Sequence, residues 1–326
     1  MCTGNWLQRA CKLLPFLVAC FVYNCSALLY TPDIETQTLL EKYAASPSQF
    51  MELDGMQVHY RDEGKLNMPV VVLLHGSASS LHTWQGWADL LQADYRVVRL
   101  DLPGFGLTGP NNEHDYSAEY YSKFLQKFLS ALKIQKYHLV GNSLGGWIAW
   151  NHAVIHPQNL LTLTLIDSSG YPMLAPPYLF RMARLPYLSE YIVHLTPRFL
   201  VRWSLFSVFY NTDLVDDSMV ERYYDLLLRT GNRDAFLDRI RTTVSLQDTP
   251  DKLATIQTRT LVLWGEHDLL IPPSHAERFR QDLPNSTLVM IQDAGHFPME
   301  EQPGESCSAF MSFIKDADTE ENAGKN

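Results

Sequence analysis

Val140-Gly141-Asn142-Ser143-Leu144-Gly145-Gly146 stands between two runs of different periodicity. Ahead of it, Lys136 to Val140 reads as a short buried strand. Behind it, Trp147 to His156 carries apolar groups at helical spacing up to Pro157. A glycine-flanked serine between strand and helix predicts a sharp turn, with Ser143 strained and its hydroxyl lifted to the mouth of a sheet. Gly141, Gly145 and Gly146 suit such a turn, because strand and helix cross there too closely for a Cβ. Leu144 opens the helix, so its N–H has no helical partner and can face a developing negative charge. Alone, the heptapeptide also fits a buried serine in an ordinary glycine-rich turn.

The chain has 326 residues, which suits one large α/β domain or two small ones, and its 46% hydrophobic content is ample for a core. A net charge of −10 and the lack of a Lys/Arg cluster argue against a nucleic-acid partner. Cys2, Cys11, Cys20 and Cys25 crowd the N-terminus and leave only Cys307 downstream. The body therefore has no internal disulfide and no Cys/His metal spacing, and neither metal nor cofactor is expected.

Arg9 and Lys12 precede Leu13 to Tyr30, an uncharged stretch broken by Pro15 and Asn24 and followed by Asp33, Glu35 and Glu41. Basic residues on the N-terminal side place the body outside the cytoplasm. The leading reading of residues 1–30 is a retained membrane anchor, because the apolar run passes any cleavage point. A signal peptide cut near Cys25-Ser26-Ala27 is the second. The third is a lipoprotein modified at Cys20, since Leu17-Val18-Ala19-Cys20 resembles a lipobox. All three export the body; oligomeric state is not legible.

Residues 31–49 read as a connector with a short helix over Glu35 to Ala45. Phe50 to Leu53 and Val58 to Asp62, joined by Asp54-Gly55, predict a hairpin. Val70 to Leu74 reads as a strand covered on both faces, ending in His75-Gly76-Ser77. A helix from Trp84 to Gln92, a strand from Tyr95 to Leu100 and a helix from Ser117 to Leu132 precede the elbow, and a strand at Leu161 to Ile166 follows it. At residues 171–253 the alternation gives way to helix-like segments rich in Tyr, Phe, Arg and Pro, including Met219 to Arg229 and Arg233 to Thr243. It resumes at Thr260 to Trp264, Pro273 to Gln281, Thr287 to Ile291 and Pro303 to Ile314. This predicts an α/β core over 50–170 and 254–315, a mostly parallel sheet, a helical insertion, and a frayed polar tail at 316–326.

His75-Gly76, Asp101 to Gly106, the elbow, Gly265-Glu266-His267-Asp268 and Gly295-His296 occur in the order and at spacings similar to those of α/β-hydrolases. The resemblance covers roughly residues 50 to 315. It implies an eight-stranded, mostly parallel sheet with helices on both faces and a helical cap inserted after the sixth strand. It also implies a Ser-Asp-His order of catalytic residues: Ser143 as nucleophile, Asp268 as the acid that orients the base, and His296 as the base. Asp167 is the rival acid, since some family members place it after the sixth strand. The oxyanion hole falls to the N–H groups of Ser77 and Leu144. His75, Gly76, Trp264, Arg181 and Arg184 are candidate pocket residues. His75 reads as ordering its loop, and Asp101 as shaping a turn.

A serine at the elbow leaves carboxylic esters, thioesters, amides, per-acid formation and the C–C hydrolysis of vinylogous diketo acids. Trp264 and the Gly-Asn-Ser-Leu-Gly-Gly elbow are similar to the C–C hydrolases, which hold a substrate carboxylate with a cap arginine; Arg181, Arg184, Arg198 and Arg202 are available for that. An exported body sits uneasily with an intracellular degradation pathway, so an esterase-type serine hydrolase acting on a small, largely apolar molecule ranks first. The C–C hydrolase ranks second, and a non-catalytic binding domain on the same fold third. The insertion aromatics Tyr178, Phe180, Phe199, Trp203, Phe206 and Phe209 are candidates for an apolar acyl pocket.

Overall fold

In the computed structural model of the chain, the described residues are 30–172, 189, 191, 193–242 and 249–323, with side chains to 315. The apolar N-terminal run up to residue 29 lies outside them, as do Tyr178, Phe180, Arg181 and Arg184. No helix among the described residues is long and apolar enough to cross a membrane.

Asp54 and Gly55 both take positive φ, 51° and 78°. This is the left-handed pair that a two-residue hairpin needs. It joins β1 (Ser48–Leu53) to β2 (Met56–Glu63) in antiparallel register, with Leu53 opposite Met56. The strands β3 (Val70–Leu74), β4 (Arg96–Leu100), β5 (Tyr137–Asn142), β6 (Leu160–Ile166), β7 (Thr260–Gly265) and β8 (Ser286–Ile291) complete the sheet. The order is β1-β2-β4-β3-β5-β6-β7-β8, and β3 to β8 run parallel.

Both faces of the central strands are covered, so their side chains divide by parity between two cores. Val72 and Leu74 enter one cluster with Phe124, Phe128 and Trp150. Val71 and Leu73 enter the other with Trp84, Trp87 and Phe310. This is why Val70–Leu74 reads as an unbroken apolar run rather than an alternating one. Helix α2 (Gln85–Leu91) buries Trp87 and Leu91, and helix α3 (Ala118–Ala131), capped by the Ser117 side chain accepting from the Tyr120 amide, packs on the elbow helix α4 (Leu144–Ile155).

After β3 the chain winds outward to β4; after β5 it winds the other way, to β6. The carboxyl ends of β3 and β5, side by side at the middle of the sheet, are therefore the point where the winding reverses. A crevice opens there in folds of this kind.

Between β6 and β7 the described residues carry α5 (Arg198–Val208), α6 (Asp217–Leu227), α7 (Asn232–Arg241) and α8 (Thr249–Leu253). Two local readings need correction. The stretch read as a connector is bound to this insertion. The Thr31 amide donates to His194 O, the Ile34 amide to Leu228 O, and Arg233 pairs with Asp33. Helix α1 (Thr36–Tyr43) buries Leu39 against Leu107 and Leu226. Its apolar residues are few and its partners distant in sequence, so the contact has no local signature. At the other end, the last helix (Pro303–Ala323) continues through much of the stretch read as a frayed tail. An established helix extends at one backbone hydrogen bond per residue without needing apolar side chains.

Candidate active site

The elbow forms because three glycines remove the atoms that would block it. A Cβ on Gly141 would lie 2.2 Å from Gly145 O, and one on Gly145 would lie 2.2 Å from Leu74 O. Helix α4 can therefore start directly over β3 and β5. Ser143 sits at the turn with φ 54° and ψ −113°, outside the comfortable regions for an L-residue with a side chain. The Ser143 amide donates to Ile166 O at 3.0 Å, which fixes the turn to β6. The Leu144 amide opens the helix and makes no backbone hydrogen bond among the described residues; neither does that of Ser77, in the loop after β3. Both residues line the same cavity as Ser143.

Asp268 and His296 come from the loops after β7 and β8. Nδ1 of His296 lies 2.7 Å from Oδ2 of Asp268, both groups buried. The second carboxylate oxygen of Asp268 accepts from the amides of Leu270 and Ile271, at 2.7 and 3.0 Å. A carboxylate fixed at both oxygens accepts a hydrogen bond from Nδ1–H, which keeps the proton on that nitrogen and leaves the other ring nitrogen as the free base. His296 faces the cavity that Ser143 lines.

Asp167 directly follows β6 with φ 44° and accepts from the Gly265 amide at 3.0 Å. Burial, reinforced by the Asp268 charge, raises its pKa well above the ordinary carboxyl range. Asp167, Asp268 and His296 form a metal-ligand-like cluster among the described residues, one ligand atom each within 4.8 Å. The Asp268 oxygens and His296 Nδ1 are already committed to one another and to amides, and Asp167 Oδ1 to the Gly265 amide.

Two of the candidate pocket residues are behind the site rather than in it. His75 is fully buried; its Nε2 accepts from the Leu102 amide and its Nδ1–H donates to Gly76 O. Both ring nitrogens are spent on ordering the loop, and burial lowers its pKa. Trp264 is fully buried and donates to Ile271 O at 3.0 Å, bracing the Asp268 loop. Gly76 does line the cavity. Asp101 holds its own turn, accepting from the Leu81 and Leu107 amides. His267 is exposed and stacks on Tyr210 at 4.0 Å.

The cavity measures about 280 Å³. Its apolar wall comes from Val201, Leu205 and Val208 on one face of α5, with Leu227, Ile271 and Phe297. The α5 aromatics predicted to line it instead face outward: Phe199, Trp203 and Phe206 are 62, 68 and 40% exposed. The helical period alone separates the two sets, since residues 199, 203 and 206 lie on the opposite side from 201, 205 and 208. Phe209 is buried against Phe297. Arg198 and Arg202 are turned onto Asp217 at the surface.

Three residues escaped the sequence reading. Asn142 donates from its amide to Ile166 O and to His296 O, at 3.2 and 3.1 Å, so the elbow itself grips the histidine loop. Glu301 accepts from the Gly295 amide at 2.8 Å with one oxygen, and from Tyr210 and Asn211 amides with the other. It clamps the histidine loop to the end of α5, where the His296 amide also donates to Val208 O. Arg239, on α7, reaches the cavity wall. Nothing in the adjoining sequence marks these roles: Glu301 stands beside Glu300 and Gln302, and Arg239 between Asp238 and Arg241 in a charged stretch.

A family profile described as alpha/beta hydrolase fold matches residues 69–303. Over 272 residues the chain is 28% identical to an uncharacterized hydrolase of Bacillus subtilis, YugF, covering 83% of this chain and 99% of that protein. It is 26% identical over 278 residues to the 2-hydroxy-6-oxo-6-(2'-aminophenyl)hexa-2,4-dienoic acid hydrolase of Metapseudomonas resinovorans, covering 83 and 92% of the two chains. A solved membrane phospholipase A, described as a bacterial virulence factor, superposes with a TM-score of 0.71 at 25% identity, over 96% of this chain and 99% of its own. The profile spans the sheet from β3 to β8 and both loops that carry Asp268 and His296. The chain belongs to the α/β-hydrolase fold family and is a hydrolase.

Proposed function

We propose that this protein is a serine hydrolase that cleaves an ester-type bond of a small, largely apolar substrate through an acyl-enzyme. Ser143 is the nucleophile, His296 the base, Asp268 the orienting acid, and the Ser77 and Leu144 amides the oxyanion hole. The observation that carries this reading is the apolar cavity of about 280 Å³ with Ser143 and His296 both in its wall. As Ser143 Oγ bonds to the acyl carbon, its proton passes to His296 Nε2, and the carbonyl oxygen becomes an oxyanion facing the two amides. Collapse expels the alkoxide, which takes the proton from His296. A water, deprotonated by the same nitrogen, then attacks the acyl-enzyme and releases the acid and Ser143. Each oxyanion donor contributes about 3 kcal/mol to the transition state.

A C–C hydrolase of vinylogous diketo acids is the second reading, favoured by similarity to a dienoic acid hydrolase. One panel separates the two: p-nitrophenyl esters of short and medium acyl chains against a ring-fission dienoate. Turnover of the dienoate alone would reverse the order. A wild-type protein that neither turns over any member nor reacts with a fluorophosphonate would instead be a binding domain.

We also propose that the protein is attached to a membrane through its N-terminus, with the body on the non-cytoplasmic side. Tyr30, at the end of the apolar run, is 52% exposed, and the Thr31 amide anchors to His194 O. The outward aromatics Phe199 and Trp203 follow closely in sequence, on a surface suited to a lipid interface. Deleting residues 1–29 should move the protein from membrane to soluble fractions; an unchanged distribution would rule the anchor out.

A further inference from the structure

Among the arginines of the insertion, Arg239 has a different environment from its neighbours. Arg202 pairs with Asp217, Arg222 with Glu300, and Arg233 with Asp33. Arg239 lines the cavity, and its Nε and Nη2 are buried with no hydrogen-bond partner among the described residues. Among the described residues, no carboxylate is paired with it. The ionisable groups that act on its charge are the phenols of Tyr121 and Tyr116, which burial keeps neutral by raising their pKa values.

The guanidinium carbon sits 5.6 Å from the Phe105 ring centre and 5.3 Å from that of Phe236. Such contacts steady the cation through the aromatic faces. The five N–H donors of a guanidinium lie in its own plane, and a ring face does not substitute for an acceptor oxygen there. A buried, unpaired cation is costly unless an opposite charge meets it, and a carboxylate or phosphate meets a guanidinium with short, charge-assisted bonds.

We propose that Arg239 is an anion-binding subsite of the cavity, and that the natural substrate is an ester whose otherwise apolar body carries a carboxylate or phosphate. This rests on the esterase reading for its chemistry but not for its binding. The anion sits on either the acyl part, as a terminal carboxylate, or the alcohol part, as a phosphate; the guanidinium recognises the same oxygens in both.

Two matched pairs of substrates test it. Mono-p-nitrophenyl adipate is compared with p-nitrophenyl hexanoate, and hexanoyl glycerophosphate with monohexanoyl glycerol. In wild type, one anionic member should exceed its neutral match in kcat/KM by at least about tenfold. That ratio, rather than either rate, should fall to about unity in Arg239→Gln and recover in part in Arg239→Lys. The pair that responds identifies which part of the substrate carries the charge. Equal rates within both pairs, or a preference that survives Arg239→Gln, would overturn the proposal while leaving the esterase reading intact.

Should none of the four be hydrolysed, the esterase reading fails and the subsite is judged by binding alone. Ser143→Ala protein, with and without Arg239→Gln, is titrated calorimetrically with monomethyl adipate, methyl hexanoate and glycerophosphate. At least about tenfold tighter binding of an anion that depends on Arg239 supports the subsite; equal binding by the two proteins removes it.

Discussion

Asp167 and Asp268 place carboxyl oxygens within 4.8 Å of each other and of a ring nitrogen of His296, but the hydrogen bond to the ring, at 2.7 Å, is made by Asp268. One strand apart in the sheet, the two acids have opposite roles. Asp268 accepts two amides and the imidazole, as a charged group does. Asp167 is pushed toward its neutral form by burial and by that charge.

Exchanging each acid for its amide should separate them. Asp268→Asn removes the acceptor that fixes the ring and should lower kcat by about 10⁴-fold. Asp167→Asn replaces a neutral carboxyl with a neutral amide of the same shape and should stay within about tenfold of wild type. Steady-state kinetics on one p-nitrophenyl ester decides it, and the reverse ranking would move the acid to β6.

The same substitution has a signature in stability. Below about pH 3.9 Asp167 is protonated in both folded and unfolded chains, and its ionisation has no effect on the balance. Above that, the unfolded chain releases a proton that the folded one retains, so wild-type stability falls with pH until the raised folded-state value is reached. Asp167→Asn lacks this loss. Its Tm relative to wild type should therefore rise as the pH increases above about 4, as measured by thermal melts at fixed ionic strength.

A second serine–histidine–aspartate chain provides an internal control. Ser48 Oγ lies 2.9 Å from His59 Nε2, and His59 Nδ1 lies 2.7 Å from Asp101. Ser48 also accepts from Arg61, and it does not line the cavity. Fluorophosphonate labelling should vanish in Ser143→Ala and persist in Ser48→Ala. Persistent labelling of Ser143→Ala would displace the nucleophile.

Glu301 should matter out of proportion to its distance from the chemistry. In Glu301→Gln an amide NH₂ would face the N–H groups of Tyr210 and Asn211, or that of Gly295 if the side chain flips. A loss of about 2–4 kcal/mol in urea unfolding is expected. A fall in kcat should accompany it, because the same residue braces the His296 loop against α5.

Gly145 should tolerate no side chain. The Cβ of an alanine would meet Leu74 O at 2.2 Å and His75 O at 2.7 Å, both backbone atoms that cannot swing away. Gly145→Ala should cost more than about 3 kcal/mol or fail to fold, whereas Gly304→Ala, with nothing within 4 Å, should express and melt like wild type.

Local chemistry made much of this readable in the chain. The apolar run Val70–Leu74, the Asp54-Gly55 turn, the Ser117 cap and the glycines of the elbow each encode their structure within a few residues, through periodicity, positive φ or steric room. That Ser143, Asp268 and His296 lie in loops after strands could be read the same way, while their order and roles come from the resemblance to α/β-hydrolases. Which acid reaches the ring could not be read: Asp167 and Asp268 both follow strands, and their separation depends on how β6 and β7 lie side by side. The cavity wall was hidden for a related reason. Phe199 and Val201 differ by two positions in sequence, but only the docking of α5 determines which one turns inward. Asn142, Glu301 and Arg239 were equally silent, because a polar side chain acquires its role from partners that only folding brings within reach.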